Sequence, residues 1–371
     1  MTHPKLDPNG LWLGRINLPS VGPVIVTLRD GQLIDITSQT APTVRDILER
    51  NDTVDFVRTA TGKALGSLDS DHDWLAPCDF QAVKACGVTF AGSMVERVIE
   101  EQAAGDPDKA ASIRARIGAR IGDSLSNIIP GSDEAAAVKL ALTKEGLWSQ
   151  YLEVGIGPDA EVFSKAQVLS SMGFGDEVGL HPISTWNNPE PEVVLAVTSA
   201  GEIKGATLGN DVNLRDVEGR SALLLSKAKD NNASCSIGPM IRLFDDSFSM
   251  DDVRQAELTL TVTGCDDGFE LTGHSSMSKI SRDPTDLVRQ TIGRHHQYPD
   301  GLMLFLGTLF APTQDRDTPG GGFTHKLGDV VTVACPELGQ LTNTVRLSTD
   351  CSEWTFGASA LMRNLAGRDL L

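Results

Sequence analysis

The order of the hydrophobic patterns is the feature that most constrains how this chain can fold. From residue 93 to about 152 the spacing of apolar residues predicts helices, in SMVERVIEEQAAG, DPDKAASIRARIGARIG and DEAAAVKLALTKEGLWSQYL. Beyond them, short apolar runs separated by Gly and Pro predict strands: EVVLAV, IKGATLG, ELTLTVTG, GLMLFLGTLF and DVVTVAC. Helices followed by strands predict an α+β fold rather than alternating βαβ units.

The first part of the chain predicts a small β-rich unit. Residues 11 to 37 alternate apolar and polar positions and contain the hairpin signal Asp30-Gly31, and PTVRDILER predicts a short helix. The polar stretch GSLDSDHDW then leads to Pro77. We therefore predict an N-terminal β-rich accessory domain over 1–76 and a larger domain over 77–371, with a helical insertion at about 103–150.

Charge and cysteine usage exclude several classes of protein. The 371 residues carry a net charge of −18 without any basic run, which argues against nucleic acid and anionic membranes as partners. The sequence has neither a secretory apolar region at its start nor an apolar stretch of the ~20 residues that span a bilayer, so we expect a cytoplasmic protein. The six cysteines form no CxxC pair and are expected to be buried thiols in a reducing compartment.

Two glutamates stand at the start of an apolar strand in WNNPEPEVVLAV. Side chains two residues apart on a strand project to the same face, so Glu190 and Glu192 aim their carboxylates at one point. Asp211 follows in LGNDVNLRD, at the end of the next apolar run. Three converging carboxylates need a cation, and such an all-oxygen site suits Mg²⁺ or Mn²⁺.

A structural role is the alternative for each of these acids. The glutamates could form a solvated acidic strand edge that discourages pairing with other sheets. Asp211 could pair with Arg215, and we assign Asp216 to a structural role.

Other polar residues are ambiguous by themselves. Lys227 and Lys229 lie in KAKDNNASC, where the residues alone favour solvated side chains. Ser93 and Glu96 form an S-x-x-E capping box at a helix start. A carboxylate in a first helical turn can also act as an acid or base if it faces a pocket.

Together, NNPEPEVVLAV, LGNDVNLRD, KDNNASCSIGP and LMLFLGTLFAP resemble the fumarylacetoacetate hydrolase superfamily over about residues 80–371. The resemblance implies a mixed β-roll and sandwich with flanking helices, preceded by an accessory β domain. It implies Mg²⁺, or alternatively Mn²⁺, as cofactor. It also implies a pocket lysine at Lys229, substrate contact at Thr308, and as metal ligands Glu190, Glu192 and Asp211.

One departure from the family pattern changes the implied chemistry. Family hydrolases carry His-x-x-Glu at the helix start; here Glu96 matches the glutamate, but Ser93 replaces the histidine that activates water. Stretches such as GLWSQYLEV, KAKDNNASC and HQYPDG resemble the sugar-acid dehydratases of the superfamily. This resemblance implies Mg-dependent dehydration of 2-keto-3-deoxy-D-xylonate or D-arabinonate to 2-oxoglutarate semialdehyde, in non-phosphorylative pentose degradation.

The implied roles leave choices open. Lys229 contacts the enolate oxygen or removes the C3 proton, and Glu96 acts at the C4 hydroxyl. These two roles are exchangeable. Ser93 is a hydrogen-bonding substrate contact. The alternatives are a hydrolase or decarboxylase of acylpyruvate-type oxo acids on the same metal site, or a non-catalytic ligand-binding protein. The resemblance also implies a homodimer or homotetramer whose other partner is a small oxo acid.

Overall fold

The computed structural model describes residues 3–104, 106, 109, 112–113, 128–144, 148–308, 310–318 and 321–371. Within the helix over 91–103, the side chains at 91–93, 95, 96 and 100 lie outside this description. The strands are β1 (Trp12–Leu18), β2 (Gly22–Arg29), β3 (Gln32–Asp35), β4 (Lys63–Ser67), β5 (Asp73–Leu75), β6 (Ala82–Gly87), β7 (Glu161–Ala166), β8 (Glu177–Leu180), β9 (Asn187–Asn188), β10 (Pro191–Val197), β11 (Ile203–Asp211), β12 (Asn213–Leu214), β13 (Cys235–Leu243), β14 (Glu257–Thr263), β15 (Glu270–Ser276), β16 (Leu302–Phe305), β17 (Val330–Cys335) and β18 (Gly339–Leu347). The helices are α1 (Val44–Leu48), α2 (Thr53–Thr59), α3 (Ala91–Ala103), α4 (Asp133–Lys144), α5 (Gln150–Ile156), α6 (Arg215–Glu218), α7 (Leu225–Lys229), α8 (Met250–Gln255), α9 (Pro284–Thr291) and α10 (Ala358–Ala366), with 3₁₀ turns at Ala222–Leu224 and Met277–Lys279.

Two mixed sheets organise the described residues, which confirms the predicted α+β class. The larger sheet has eleven strands in the order β4-β3-β2-β1-β13-β11-β10-β16-β6-β7, with β5 paired to β1. The smaller sheet has five strands in the order β15-β14-β17-β18-β8. Most neighbouring strands are antiparallel, while β16–β6 and β18–β8 are parallel.

The central strands of the large sheet are buried on both faces. Along β10, Val193 and Leu195 belong to the core shared with the five-stranded sheet, whereas Val194 and Ala196 belong to the core that also contains α1. Burial on both faces explains why this strand is a continuous apolar run rather than an alternating one. It also defines the face on which Glu192, two residues before Val194, must lie.

The N-terminal hairpin forms as predicted. Asp30 and Gly31 have φ values of 48° and 72°, so both lie in the left-handed region of a two-residue turn, and Arg29 pairs with Gln32 across it. On its other side β1 pairs with β13, where Leu13 lies opposite Ile241. The N-terminal strands therefore extend that sheet, and the predicted boundary at residue 76 stays a prediction.

The helical region differs in detail from its prediction. The stretch expected as one helix from residue 133 onward contains α4 and α5 as separate helices, and the side chain of Ser149 caps α5 by accepting a hydrogen bond from the backbone of Tyr151. Helix α3 begins at Ala91, so Ser93 lies in its first turn and the predicted cap at Ser93 is wrong. The predicted helix over 106–122 falls largely outside the described residues.

Two further expectations concern the surface. Among the described residues, no helix combines the length and apolarity needed to cross a membrane. The cysteines are all free, but Cys265 is exposed, so the expectation that every thiol is buried is wrong at that turn.

Candidate metal centre

The acidic triad consists of Glu190, Glu192 and Asp211, which the structure brings together. One carboxylate oxygen of each lies within 4.8 Å of the others, and the three residues are only 1–2% exposed. The hairpin of β10 and β11 creates this arrangement, because the backbone N–H of Asp211 donates to the carbonyl of Glu190 at 2.9 Å. Gly209 lies opposite Glu192 in the same ladder.

Burying three carboxylates at this separation is costly. Two unit charges 4.8 Å apart repel each other by roughly 3 kcal/mol at an effective dielectric constant of about 20. In the structure, three buried cations from three different elements offset this repulsion. They are Lys229 at the end of α7, Lys165 on β7 and Arg97 on α3.

Each cation has a defined partner. The Nζ of Lys229 donates to Glu190 and, at 3.2 Å, to Asp211. The Nζ of Lys165 lies 2.8 Å from the other oxygen of Asp211 and donates to the backbone carbonyls of Val212 and Lys229, at 3.1 and 2.5 Å. Arg97 pairs with Glu190. Lys165 therefore ties a triad carboxylate to the helix end that carries Lys229.

The charge compensation is uneven within the triad. Burial would raise the pKa of Glu190, but the charges of Lys229 and Arg97 outweigh it and lower that pKa. Burial raises the pKa of Glu192, and the neighbouring charges of Asp211 and Glu190 raise it further. Among the described residues, Glu192 forms no ion pair and accepts a hydrogen bond from the backbone N–H of Gly307 at 2.7 Å.

The donor set fits a divalent cation. All three ligands are carboxylates, which Mg²⁺ and Mn²⁺ prefer, and Glu192 supplies negative charge that its surroundings leave uncompensated. The cavity at the triad, which we call the site cavity, is also lined by Lys229 and Thr308. Glu190, Glu192 and Asp211 would hold the ion.

Two more glutamates border the site cavity. Glu218 pairs with Arg97 at 3.1 Å, and Glu161 lies opposite Gly87 in the β6–β7 ladder. A Cβ atom at Gly87 would lie only 1.8 Å from the Oε2 of Glu161, so this position must be glycine for Glu161 to point where it does. Burial and then the charge of Glu218 raise the pKa of Glu161 to about 7. A carboxyl group with this pKa can exchange a proton near neutral pH.

The segment after β16 closes another side of the site cavity. It was predicted as part of one long strand, but the strand ends at Phe305 and Gly307 adopts φ +99°. A Cβ atom on that glycine would lie 2.0 Å from Thr89 Oγ1, so glycine permits the close approach. Thr308 follows, and its buried Oγ1 has no hydrogen-bond partner among the described residues. On the facing turn, Val88 has φ +58°, a strained conformation for a β-branched residue.

The remaining predicted residues are placed as follows. The side chains of Ser93 and Glu96 lie outside the described residues, although Arg97 on the same helix reaches the triad. Arg215 does not pair with Asp211; it donates to the carbonyl of Pro312 at 3.0 Å.

Two assignments from the sequence agree with the structure. Lys227 is exposed, in contrast to the buried Lys229 on the same helix. Asp216 accepts hydrogen bonds from the Ser184 hydroxyl and the Thr185 backbone, the structural role expected of it.

Sequence reasoning missed Arg97, Glu161, Lys165 and Glu218. One signal was available in β7, EVFSKA, where Glu161 and Lys165 share a strand face with the apolar Phe163. A charged pair on one face of a strand usually indicates a solvated face, so the pattern identifies Glu161 and Lys165 only once that face of β7 is known to be covered.

Comparison with known proteins finds a family model that matches part of the chain. Residues 193–346 match the model of the fumarylacetoacetate (FAA) hydrolase C-terminal family. A probable 2-keto-3-deoxyxylonate dehydratase of Haloferax volcanii is 32% identical over 195 residues, which cover 53% of this chain and 63% of that protein. A 2-dehydro-3-deoxy-D-arabinonate dehydratase of Saccharolobus solfataricus is 29% identical over 189 residues, or 50% and 58% of the two chains. The match thus spans less than two thirds of either relative.

Solved structures share the fold. A 2-keto-3-deoxy-D-arabinonate dehydratase complexed with magnesium and 2,5-dioxopentanoate superposes with a TM-score of 0.64 at 20% identity, over 91% of this chain and 99% of that one. A fumarylacetoacetate hydrolase from Exiguobacterium antarcticum gives a TM-score of 0.58 at 16% identity, with the same coverage. These similarities confirm the predicted fumarylacetoacetate hydrolase-like architecture.

Proposed function

We propose that this protein is a magnesium-dependent dehydratase, and the match of residues 193–346 to the fumarylacetoacetate (FAA) hydrolase C-terminal family model supports this proposal. Its proposed reaction converts a 2-keto-3-deoxy-D-pentonate, from D-xylonate or D-arabinonate, into 2-oxoglutarate semialdehyde (2,5-dioxopentanoate). The names of both sequence relatives support this substrate class, as does the neighbour complexed with magnesium and 2,5-dioxopentanoate. The proposal places the enzyme in non-phosphorylative pentose degradation in the cytoplasm, as a homodimer or homotetramer.

The observation that carries the proposal is the buried acidic triad with Lys229 against two of its members and Glu161 on the same cavity. Glu190, Glu192 and Asp211 are proposed to hold Mg²⁺, with Mn²⁺ as an alternative. When bound, a divalent ion supplies Lewis acidity, which acidifies protons next to a ketone.

The chain must supply a base and an acid for the elimination. A base removes a proton from C3, the electrons of that C–H bond form the C3–C4 double bond, and the C4 hydroxyl leaves as water after it receives a proton. Loss of a C5 proton and protonation at C3 then give the enol of the aldehyde, which becomes the aldehyde by protonation at C4 and loss of its O–H proton. The overall change is the loss of one water, without oxidant or reductant.

Lys229 is the group proposed to act at the C2–C3 unit. Its Nζ faces the triad, where it can donate to the enolate oxygen or exchange the C3 proton. Thr308 is proposed to hydrogen-bond the substrate, because its buried Oγ1 has no partner among the described residues.

Glu161 is proposed to deliver the proton to the C4 hydroxyl. It lines the site cavity, and a carboxyl group with a pKa of about 7 can donate a proton at neutral pH and then be reprotonated. Glu96 is the second candidate for this role, with Ser93 as a substrate contact beside it. Substituting each glutamate by Gln separates the two: the true acid loses turnover while magnesium affinity is retained.

The decisive experiment is incubation of the magnesium-loaded protein with 2-keto-3-deoxy-D-pentonate and identification of the product by mass spectrometry. We expect a single five-carbon aldehyde, one water lighter than the substrate. Cleavage of the substrate into two smaller carbon compounds would instead identify a hydrolase, and release of CO₂ would identify a decarboxylase. Unchanged substrate that binds to the protein would indicate a non-catalytic ligand-binding function.

A further inference from the structure

The site cavity is too small for the proposed substrate. Its volume is about 20 Å³. A cavity of this size has room for roughly one water molecule. A five-carbon oxo acid is several times larger, so only its metal-binding end fits against the triad. The rest of the molecule needs adjoining space.

A second cavity, which we call the outer cavity, adjoins the first. It has a volume of about 190 Å³ and shares two lining residues with the site cavity, Glu161 and Glu218. These two carboxylates therefore stand between the cavities.

The outer cavity leads inward from the surface. Ala222, at its outer end, is exposed, while Val154 of α5 and Leu225 of α7 are half-buried. Glu218, at the inner end, is 5% exposed. The walls between the rim and the two glutamates are largely apolar, and they belong to helix α5 on one side and to the segment around the 3₁₀ turn on the other.

We propose that the outer cavity is the entrance to the acidic triad and the subsite for the end of the substrate remote from the oxo acid. The identity of the natural oxo acid rests on the proposed function, but the subsite itself rests on the two adjoining cavities, which share Glu161 and Glu218. The C1–C2 end of an oxo acid lies at the triad, C4 reaches Glu161 where the cavities meet, and the chain beyond C4 lies between Val154 and Leu225. Apolar walls make this subsite favour 2-oxo acids longer than five carbons over shorter ones.

Chain length gives a direct test. Linear 2-oxo acids from 2-oxobutyrate to 2-oxooctanoate are titrated into the magnesium-loaded protein by calorimetry. Each methylene buried in the outer cavity is expected to tighten Kd by about fourfold. Equal Kd values along the series would overturn the proposal, because the chain would then remain in solvent.

A matched pair of variants locates the effect. Ala222→Trp fills the rim of the outer cavity and is expected to remove the dependence of Kd on chain length. Leu223→Trp adds the same ring one residue away on the 3₁₀ turn, at a side chain that is 95% exposed and does not line the cavity. It should keep the wild-type dependence. Val154→Phe, on the opposite wall, is a second filling variant and should behave like Ala222→Trp.

Failure of the subsite and failure of the proposed function are distinguishable. Turnover of the deoxy acid together with a flat chain-length series removes the subsite and leaves the dehydratase. A steep series that Ala222→Trp abolishes, in a protein without turnover, removes the dehydratase and leaves the subsite. An unchanged series in both filling variants would place the bound chain elsewhere and overturn the proposal.

Discussion

Replacing Glu192 by Gln and, separately, Glu190 by Gln perturbs the triad at two positions that differ in their partners. Glu190 carries ion pairs to Lys229 and Arg97, both buried. Glu192 accepts a hydrogen bond from the backbone of Gly307 and has no ion pair among the described residues. The same change of shape and charge should therefore have unequal consequences for stability.

The structure sets the magnitudes. Glu190→Gln removes one of the two carboxylate partners of each of two buried cations, Lys229 and Arg97, and breaking buried pairs in this way costs about 3–5 kcal/mol of unfolding free energy. Glu192→Gln keeps an oxygen for the Gly307 N–H and relieves repulsion from the other two acids. We expect its effect on the metal-free protein to stay within about 1 kcal/mol.

Urea unfolding with EDTA and with Mg²⁺ checks both expectations. Magnesium at a concentration of 100 Kd should add about 2.7 kcal/mol to the wild type. Both variants should lose most of this gain, because each lacks one ligand. The reasoning is refuted if, in EDTA, Glu192→Gln is destabilised as much as Glu190→Gln. Retention of the full magnesium effect in Glu192→Gln would remove that residue from the ligand set.

Three further predictions follow from the same contacts. Lys165→Met should lower the unfolding free energy by about 3–5 kcal/mol because Asp211 loses a buried partner. The control Lys227→Met, at an exposed lysine, should change the unfolding free energy by less than about 0.5 kcal/mol. Equal urea midpoints for the two variants would contradict this prediction. Gly87→Ala should displace Glu161 and lower kcat at least about tenfold with magnesium affinity unchanged in calorimetry; wild-type turnover would exclude Glu161 as the acid. Burial raises the pKa of Asp176 to about 6, so the native state favours its protonated form and loses stability as pH rises from about 4 through 6. Asp176→Asn should therefore gain in thermal midpoint over the wild type at pH 7.5 but not at pH 4, and a gain equal at both pH values would oppose this assignment.

Local spacing explains what the sequence could predict. The positions of Glu190, Glu192 and Asp211 depend on the two-residue period of a strand and on one hairpin, β10–β11, whose partners are close in sequence. The turn at Asp30-Gly31 depends on two residues that tolerate positive φ. In each case the physical cause lies within a few residues of its effect.

The cations of the site could not be predicted in this way because they come from distant segments. Lys165 reaches Asp211 only because β7 joins the edge of the large sheet through β6, and Arg97 reaches Glu190 from helix α3. The strand β13 was missed for another reason. It contains Pro239, which argues against a central strand, yet the ladder with β11 shifts register between Ala206 and Leu208, and the proline lies in that irregular stretch.

The charges of the site bear on how a strongly acidic protein would bind the oxo acid of the proposed reaction. Among the described residues, with the triad and Glu218 ionised and Glu161 neutral, four carboxylates face three cations, Lys165, Lys229 and Arg97, which leaves one excess negative charge. An oxo acid bound without a metal ion would add a second negative charge. A divalent ion and a singly charged oxo acid together bring the balance to zero, so the two belong in the site as a pair. The buried cations thus do more than stabilise the triad: without them the carboxylates would retain excess negative charge even with the ion bound, and the anion would be repelled.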